Sequence, residues 1–302
     1  MAKIYAITNQ KGGVGKTTTS VNLAASLAAT KKRVLMVDMD PQGNATMGSG
    51  VDKNSQIATV YDVLVDDISV PQAMVYAEES GFHVLPANGD LTAAEVQLLD
   101  VEGKERRLEH ALAQILDQFD FILIDCPPSL NMLTVNALTA CEGVIIPMQC
   151  EYYALEGLTA LMGTIDTIQK ALNPNLKIEG ILRTMYDPRM SLTGDVSTQL
   201  TEYFGDRVYR TCIPRNIRLA EAPSFGKPVL SYDRQSKGAL AYLALAGEIL
   251  RRNTRRMDFS GRLGGEEFVS LLADFPLDAA VRRDPAGRPS GAGLSGCRHS
   301  PP

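Results

Sequence analysis

No tryptophan occurs in this chain, and its five cysteines (Cys126, Cys141, Cys150, Cys212 and Cys297) never fall into a C-x-x-C pair. Only His83, His110 and His299 are available to join them, so neither a structural zinc site nor a disulfide framework is expected. No apolar run approaches the roughly 20 residues that a membrane-crossing helix needs. The start, Met1-Ala2-Lys3-Ile4, runs into a strand pattern without the apolar region of a signal peptide, and a cytoplasmic protein is expected. An excess of positive charge is also missing, the formal net charge being −5. Any affinity for DNA therefore has to come from a local basic patch.

What is present is apolar and periodic. Hydrophobic residues make up 45% of the chain, enough for a full core, and one domain of about 250 residues with an appendage fits the length. Strand patterns at residues 4–8, 33–38, 82–86, 121–125, 143–147 and 178–183 alternate with helical patterns at 16–30, 91–116, 132–140, 155–172, 196–204 and 238–252. The alternation predicts an α/β fold, a doubly wound and mostly parallel sheet flanked by helices. Composition changes after Asn253, which divides the chain into an expected folded domain at 1–253 and a tail at 254–302. Glycine, proline and arginine become frequent there and no hydrophobic periodicity remains from Pro285 on, so the tail is expected to be mostly disordered.

Three segments fall at predicted strand ends, where an open α/β sheet places its ligands. The first is Gln10-Lys11-Gly12-Gly13-Val14-Gly15-Lys16-Thr17-Thr18. Backbone N–H groups of such a turn, and of the helix it opens, face phosphates. Lys16 then supplies a point charge for the β/γ-phosphates and Thr17 a hydroxyl for Mg²⁺. Gln10 stands where the general G-x-x-x-x-G-K-[ST] pattern has its first glycine. Lys11 is a second lysine that an ordinary phosphate loop does not need. It points to charge aimed at a γ-phosphate, that of a partner subunit included, and so to a nucleotide-dependent switch.

The second segment is Val37-Asp38-Met39-Asp40-Pro41-Gln42-Gly43-Asn44. Two carboxylates at the end of a buried strand are costly unless they meet a cation or strong donors. Mg²⁺, a metal-bound water and an attacking water are the partners expected near a nucleotide; a helix cap or turn pair is the plainer alternative. The third is Ile122-Leu123-Ile124-Asp125-Cys126-Pro127-Pro128-Ser129, an apolar strand ending in a carboxylate suited to Mg²⁺. Cys126 reads as a small packed residue and not as a nucleophile.

At these residues the chain resembles the ParA/MinD group of ATPases, which carry a deviant Walker A phosphate loop, and within it the chromosome-partitioning ParA proteins of the Soj branch. Glu151-Tyr152-Tyr153-Ala154-Leu155-Glu156-Gly157 and Ile213-Pro214-Arg215-Asn216-Ile217-Arg218-Leu219-Ala220-Glu221-Ala222-Pro223 extend the resemblance, which covers residues 1–253. It implies a homodimer closed face to face around ATP, with Lys11 reaching the other subunit's phosphates much as an arginine finger does. It also implies catalytic roles for Lys16 and for Asp40, which positions the hydrolytic water. Gly12, Gly13, Val14, Gly15, Thr17 and Thr18 complete the nucleotide loop, and a side chain at Gly12 is expected to block closure. Pro214 and Asn216 are implied for the adenine pocket, and Thr17, Asp38 and Asp125 for Mg²⁺.

The same resemblance implies non-specific binding of double-stranded DNA through Arg189 and Arg218, with Arg183, Arg215 and Lys227 as weaker candidates. Hydrolysis stimulated by a ParB-type partner, slow turnover without it, and a nucleoid-associated location also follow. Stable membrane association is not expected. A MinD-like membrane-cycling ATPase is the alternative, but residues 243–256 set mostly Ala and Leu opposite their arginines. An iron–sulfur reductase is disfavoured because Cys126 and Cys141 lie outside that family's ligand motifs. A scaffold with a dead nucleotide site finds no missing residue to support it.

Within the tail, Asp258-Phe259-Ser260-Gly261-Arg262-Leu263-Gly264-Gly265-Glu266-Glu267-Phe268-Val269-Ser270-Leu271-Leu272 resembles the active-site hairpin of diguanylate cyclases. Too little chain remains to build such a domain. The segment is expected to be a fusion scar or frameshifted end, with Phe268, Val269, Leu271 and Leu272 as an aggregation hazard.

Overall fold

Runs such as Val34-Leu35-Met36-Val37 and Phe121-Ile122-Leu123-Ile124 have no alternating polar face and need cover on both sides. In the computed structural model, which describes residues 1–257 except Gln56, Tyr152 and Tyr153, they lie at the centre of an eight-stranded sheet. Its strands are β1 (Lys3–Ile7), β2 (Val34–Asp38), β3 (Val75–Ala77), β4 (Phe82–Leu85), β5 (Phe121–Asp125), β6 (Gly143–Gln149), β7 (Lys177–Tyr186) and β8 (Val208–Pro214). Their order is β3-β4-β2-β5-β1-β6-β7-β8. Only β3 runs antiparallel to its neighbour.

The helices are α1 (Lys16–Ala29), α2 (Asn44–Gly48), α3 (Val60–Val65), α4 (Val70–Ala73), α5 (Leu91–Gln97) and α6 (Arg107–Ala113). After β5 come α7 (Met132–Ala140), α8 (Ala154–Ala171), α9 (Ser191–Phe204), α10 (Ile217–Glu221), α11 (Val229–Tyr232) and α12 (Lys237–Met257). Successive strand residues face opposite sides, so two cores form. Leu35, Val37, Ile122 and Ile124 join α3, α5, α6, α7 and α8 in one. Val34, Met36, Phe121 and Leu123 meet Leu23 and Leu27 of α1 and Tyr242, Leu245 and Ile249 of α12 in the other.

All six expected strands are found, β6 and β7 running further than their patterns suggested. Two strands were not foreseen. β3 has three residues, too few for periodicity. β8 is an edge strand, buried at Val208, Tyr209 and Ile213 but exposed at Arg210, so it lacks the continuous apolar run. The single helix expected over 91–116 is instead α5, two short 3₁₀ turns and α6. Gly103 breaks it by taking the left-handed conformation, φ 71°. α12 continues to Met257, past the start of the tail expected to be disordered. The rest of that expectation, the cyclase-like segment from Asp258, Cys297, Tyr152 and Tyr153 lie outside the described residues.

Register positions the site. Ile7 and Asp38 both pair with Asp125, so the loops after β1, β2 and β5 open at one level. The chain leaves β1 for β2 on one side and reaches β6 on the other, which makes the crevice at these strand ends the place for a ligand. On the β6 side the register shifts between Val144 and Ile145, leaving Glu179 of β7 as an extra residue. Gly180 follows, and a Cβ there would stand 2.3 Å from the ring of Tyr209, which is fully buried. Gly180→Ala is therefore expected to cost about 1–3 kcal/mol through overpacking, read as a lower urea midpoint at unchanged slope.

Candidate nucleotide site

The loop between β1 and α1 holds Gly13 at φ 73° and Gly15 at φ 87°, conformations that glycine adopts without a Cβ penalty. Gly15 is the N-cap of α1 and supplies no side-chain cap. The first amides of a fourteen-residue helix are thus presented to whatever anion lies in the loop. Two bonds tie the loop to its neighbours. Asn9 Nδ2 donates to the Pro147 carbonyl of β6, and Thr184 Oγ1 of β7 donates to the Val14 carbonyl, each at 2.8 Å.

Lys16 opens α1 and is 8% exposed. Its Nζ donates to the carbonyl of Lys11 at 3.2 Å. Burial lowers its pKa, opposed by the charges of Asp125, Cys126 and Asp40. The Lys11 side chain goes the other way, its Nζ 2.6 Å from Glu151 Oε2 in the turn that follows β6. One loop therefore directs one lysine inward and one outward.

Beneath the loop, Thr17 Oγ1 and Ser20 Oγ donate to the two oxygens of Asp125 at 2.8 and 2.7 Å. Asp38 accepts from the N–H and Oγ1 of Thr46 at 2.8 and 2.7 Å and from the N–H of Asp40 at 3.1 Å. Both carboxyls are fully buried. Burial holds both above the usual carboxylate range, with the charge of Asp38 adding to the effect on Asp125. Asp40 is only partly buried; its Oδ1 accepts from the Gln42 N–H at 3.0 Å, in a turn whose Gly43 has φ 62°. A Cβ on Gly43 would lie 2.6 Å from the Ala87 carbonyl, so that turn admits no other residue.

Two buried carboxyls beside a hydroxyl, held above their normal pKa, form a site that a divalent cation would relieve. Among the described residues no group of three or more His, Cys, Asp or Glu gathers for a metal. The sparse set of Thr17, Asp38 and Asp125 suits Mg²⁺, which keeps several waters and shares phosphate oxygens. Beside the start of α1 lies a cavity of about 190 Å³ lined by Gly15, Thr18, Met185, Pro214, Asn216 and Tyr242, among others. Asn216 Oδ1 caps α10 by accepting from the Leu219 N–H at 3.3 Å, which fixes the wall of that cavity. The residues present fit a nucleoside triphosphate with Mg²⁺.

Not every expected residue joins this site. Arg189 is 86% exposed and makes a two-pronged contact with Asp187. Arg218 is half exposed and pairs with Glu221 and Asp233. Lys227 pairs with Glu79, and Arg215 lines the cavity. The Arg183 guanidinium donates to Ser197 Oγ and to the Tyr209 and Arg210 carbonyls, which ties β7 to α9 and β8. Cys126 and Cys141 are buried thiols, the second pushed up to about 12 by burial. Ser20, Thr46, Asn9 and Thr184 were missed; of these only Ser20 left a signal, one helical turn beyond Thr17.

Comparison with known proteins bears on this geometry. The AAA domain family matches residues 2–178. An uncharacterized protein of Pseudomonas putida is 69% identical over 255 residues, 84% of this chain and 97% of that protein. The sporulation initiation inhibitor protein Soj of Bacillus subtilis is 54% identical over 249 residues, 82% of this chain and 98% of Soj. Among solved structures, cobyrinic acid a,c-diamide synthase of Mycobacterium smegmatis with a bound ATP analog and magnesium superposes with a TM-score of 0.74 at 39% identity, covering 84% of this chain and 96% of that one.

An acid whose folded pKa lies above its unfolded value binds its proton more tightly when folded. Its contribution is complete below the unfolded value and is lost as pH rises through the folded one. In a chelator, thermal stability should therefore fall as pH rises from the ordinary carboxylate range toward neutrality. Asp125→Asn should flatten that fall in a series of melting curves; an unchanged slope would assign it to other groups.

Proposed function

Because this chain belongs to the AAA domain family, as one of its ParA/MinD-type phosphate-loop ATPases, we propose that it is a dimeric switch for chromosome or plasmid partitioning. Two copies close face to face around ATP and Mg²⁺, the pair holds double-stranded DNA without regard to sequence, and a ParB-type partner stimulates hydrolysis and releases it. The observation that carries this reading is the division of labour in the loop, with Lys16 buried inward and Lys11 at the surface, its ammonium held only by the exposed Glu151.

Gly12 supports it. A Cβ at Gly12 would meet nothing within 4 Å, and its backbone is not in the left-handed region. No neighbouring side chain or backbone of the protomer requires glycine there, which is compatible with the close approach of a second chain.

Bound at this site, ATP with Mg²⁺ supplies the scissile phosphoanhydride and the charge that neutralises it. The chain's own part is to hold and orient. Lys16 and the amides from Gly12 to Thr18 would cradle the phosphates, and Thr17, Asp38 and Asp125 would hold the metal. Asp40, in its rigid turn, orients the attacking water, and Pro214 and Asn216 wall the base. Lys11 serves the other subunit. Turnover is slow until the partner protein engages.

Exposed ion pairs contribute only about 0–1 kcal/mol, so DNA phosphates can displace Asp187 from Arg189 and Glu221 from Arg218. Pairing two protomers doubles a patch too weak alone, and each phosphate contact adds about 0.9 to the salt slope. The proposed location is the cytoplasm, on the nucleoid. A membrane-cycling role is less well supported: Ala239, Tyr242, Leu245, Ala246 and Ile249 commit the apolar face of α12 to the core. Among the described residues no helix is long and apolar enough to cross a membrane.

Gly12→Val should bind ATP like the wild type yet stay monomeric in sedimentation velocity; dimers of normal affinity would refute the close approach. Co-sedimentation of the full chain with DNA should require ATP and fail with ADP. Arg189→Glu combined with Arg218→Glu should retain ATP-dependent dimers and lose DNA, and unchanged DNA affinity would remove the patch from those arginines.

A further inference from the structure

Lys11 is tied at three points. Its N–H donates to Asn9 Oδ1 at 2.9 Å, its carbonyl accepts from Lys16 Nζ at 3.2 Å, and its own Nζ stands 2.6 Å from Glu151 Oε2. The first two lie within the loop and fix its backbone. Only the third engages the ammonium, and it comes from a residue 140 positions away.

Glu151 is well placed for this. It follows β6, which lies beside β1, and backbone bonds hold it in the turn before α8: its N–H donates to the Gln149 carbonyl and its carbonyl accepts from the Ala154 N–H, both at 3.0 Å. The two side chains are 42% and 52% exposed. That exposure leaves the pair open to a competitor and keeps it weak. A triphosphate carries several negative charges against the single charge of a carboxylate, so a weak contact is one that it can take over.

We propose that Glu151 is a positioning residue that holds the Lys11 ammonium on its own protomer and competes for it with the partner's nucleotide. Glu151 thereby sets the ATP concentration at which two chains pair. This rests on the reading that Lys11 serves the other subunit. The requirement on the contact is quantitative: a strong buried pair would keep Lys11 at home permanently, and no contact would let protomers pair at a lower ATP level. The contact is also ionic, so its hold weakens with salt.

The test uses the full chain, adenylyl imidodiphosphate with Mg²⁺ as the probe, and sedimentation velocity as the readout of pairing. Glu151→Gln is expected to lower the probe concentration at half-maximal dimer by roughly two- to fivefold, the range of an exposed ion pair. The gap from wild type should narrow at high salt, and Glu151→Asp should restore most of the wild-type midpoint. Lys11→Ala should remain monomeric, with or without Glu151→Gln. Equal melting temperatures for wild type and Glu151→Gln would separate the effect from folding. If Glu151→Gln pairs at the same or a higher concentration while Lys11→Ala fails to pair, the holding role is refuted and the cross-subunit reading stands. If Lys11→Ala pairs normally, that reading falls and the inference with it.

Discussion

Asp125 ends the central strand with its carboxyl fully buried and a hydroxyl on each oxygen, Thr17 on one and Ser20 on the other. Removing an unpaired carboxylate from water costs on the order of several kcal/mol, so this position is tolerable as an acid or with a cation at hand. Much of the surrounding architecture follows. Both hydroxyls come from α1, which fixes that helix over β5. The register that sets Asp38 level with Asp125 places a second carboxyl in the same low-dielectric space. Lys16, which feels the charge of Asp125, is buried as well. The centre of the molecule thus gathers buried titratable groups, which is the arrangement that the proposed metal–triphosphate pair would suit.

Around that centre the chain separates holding from reaching. Residues that hold are hydrogen-bonded within the fold: Asn9 to β6, Val14 to β7, Asp38 to α2, Asn216 to α10. Those proposed to reach outside the protomer are the exposed Lys11, Arg189 and Arg218, and each rests on a carboxylate of its own chain. A net negative protein is thereby compatible with phosphate partners, because its useful cations are paired weakly and at the surface.

The sheet was legible in the sequence wherever strands are covered on both faces, since burial leaves a continuous apolar run in β2 and β5. It was not legible at the edges. β8 mixes Arg210 and Thr211 with Val208 and Tyr209 because only part of it is covered. The helix breaks at Gly103 through a backbone angle that composition alone does not announce. In the site, Lys16, Thr17, Asp38, Asp40 and Asp125 could be read from their places at strand ends. Their partners could not. Thr46 reaches Asp38 through the packing of α2, and Glu151 reaches Lys11 because β6 lies beside β1. Arg183 and Arg189 look alike in sequence, yet the end of β7 turns one guanidinium into the fold and leaves the other outside.

The strand order also bears on how the chain is made. β5 lies between β1 and β2, so the two earliest strands are never neighbours, and Lys3 waits for Phe121 as its partner. Closing so long a segment is entropically costly and slow. On the ribosome, the phosphate loop emerges before β5 and stays without a floor until that strand follows. A nascent chain cut short before Asp125 would carry both lysines and every loop glycine, yet have no pocket to put them in.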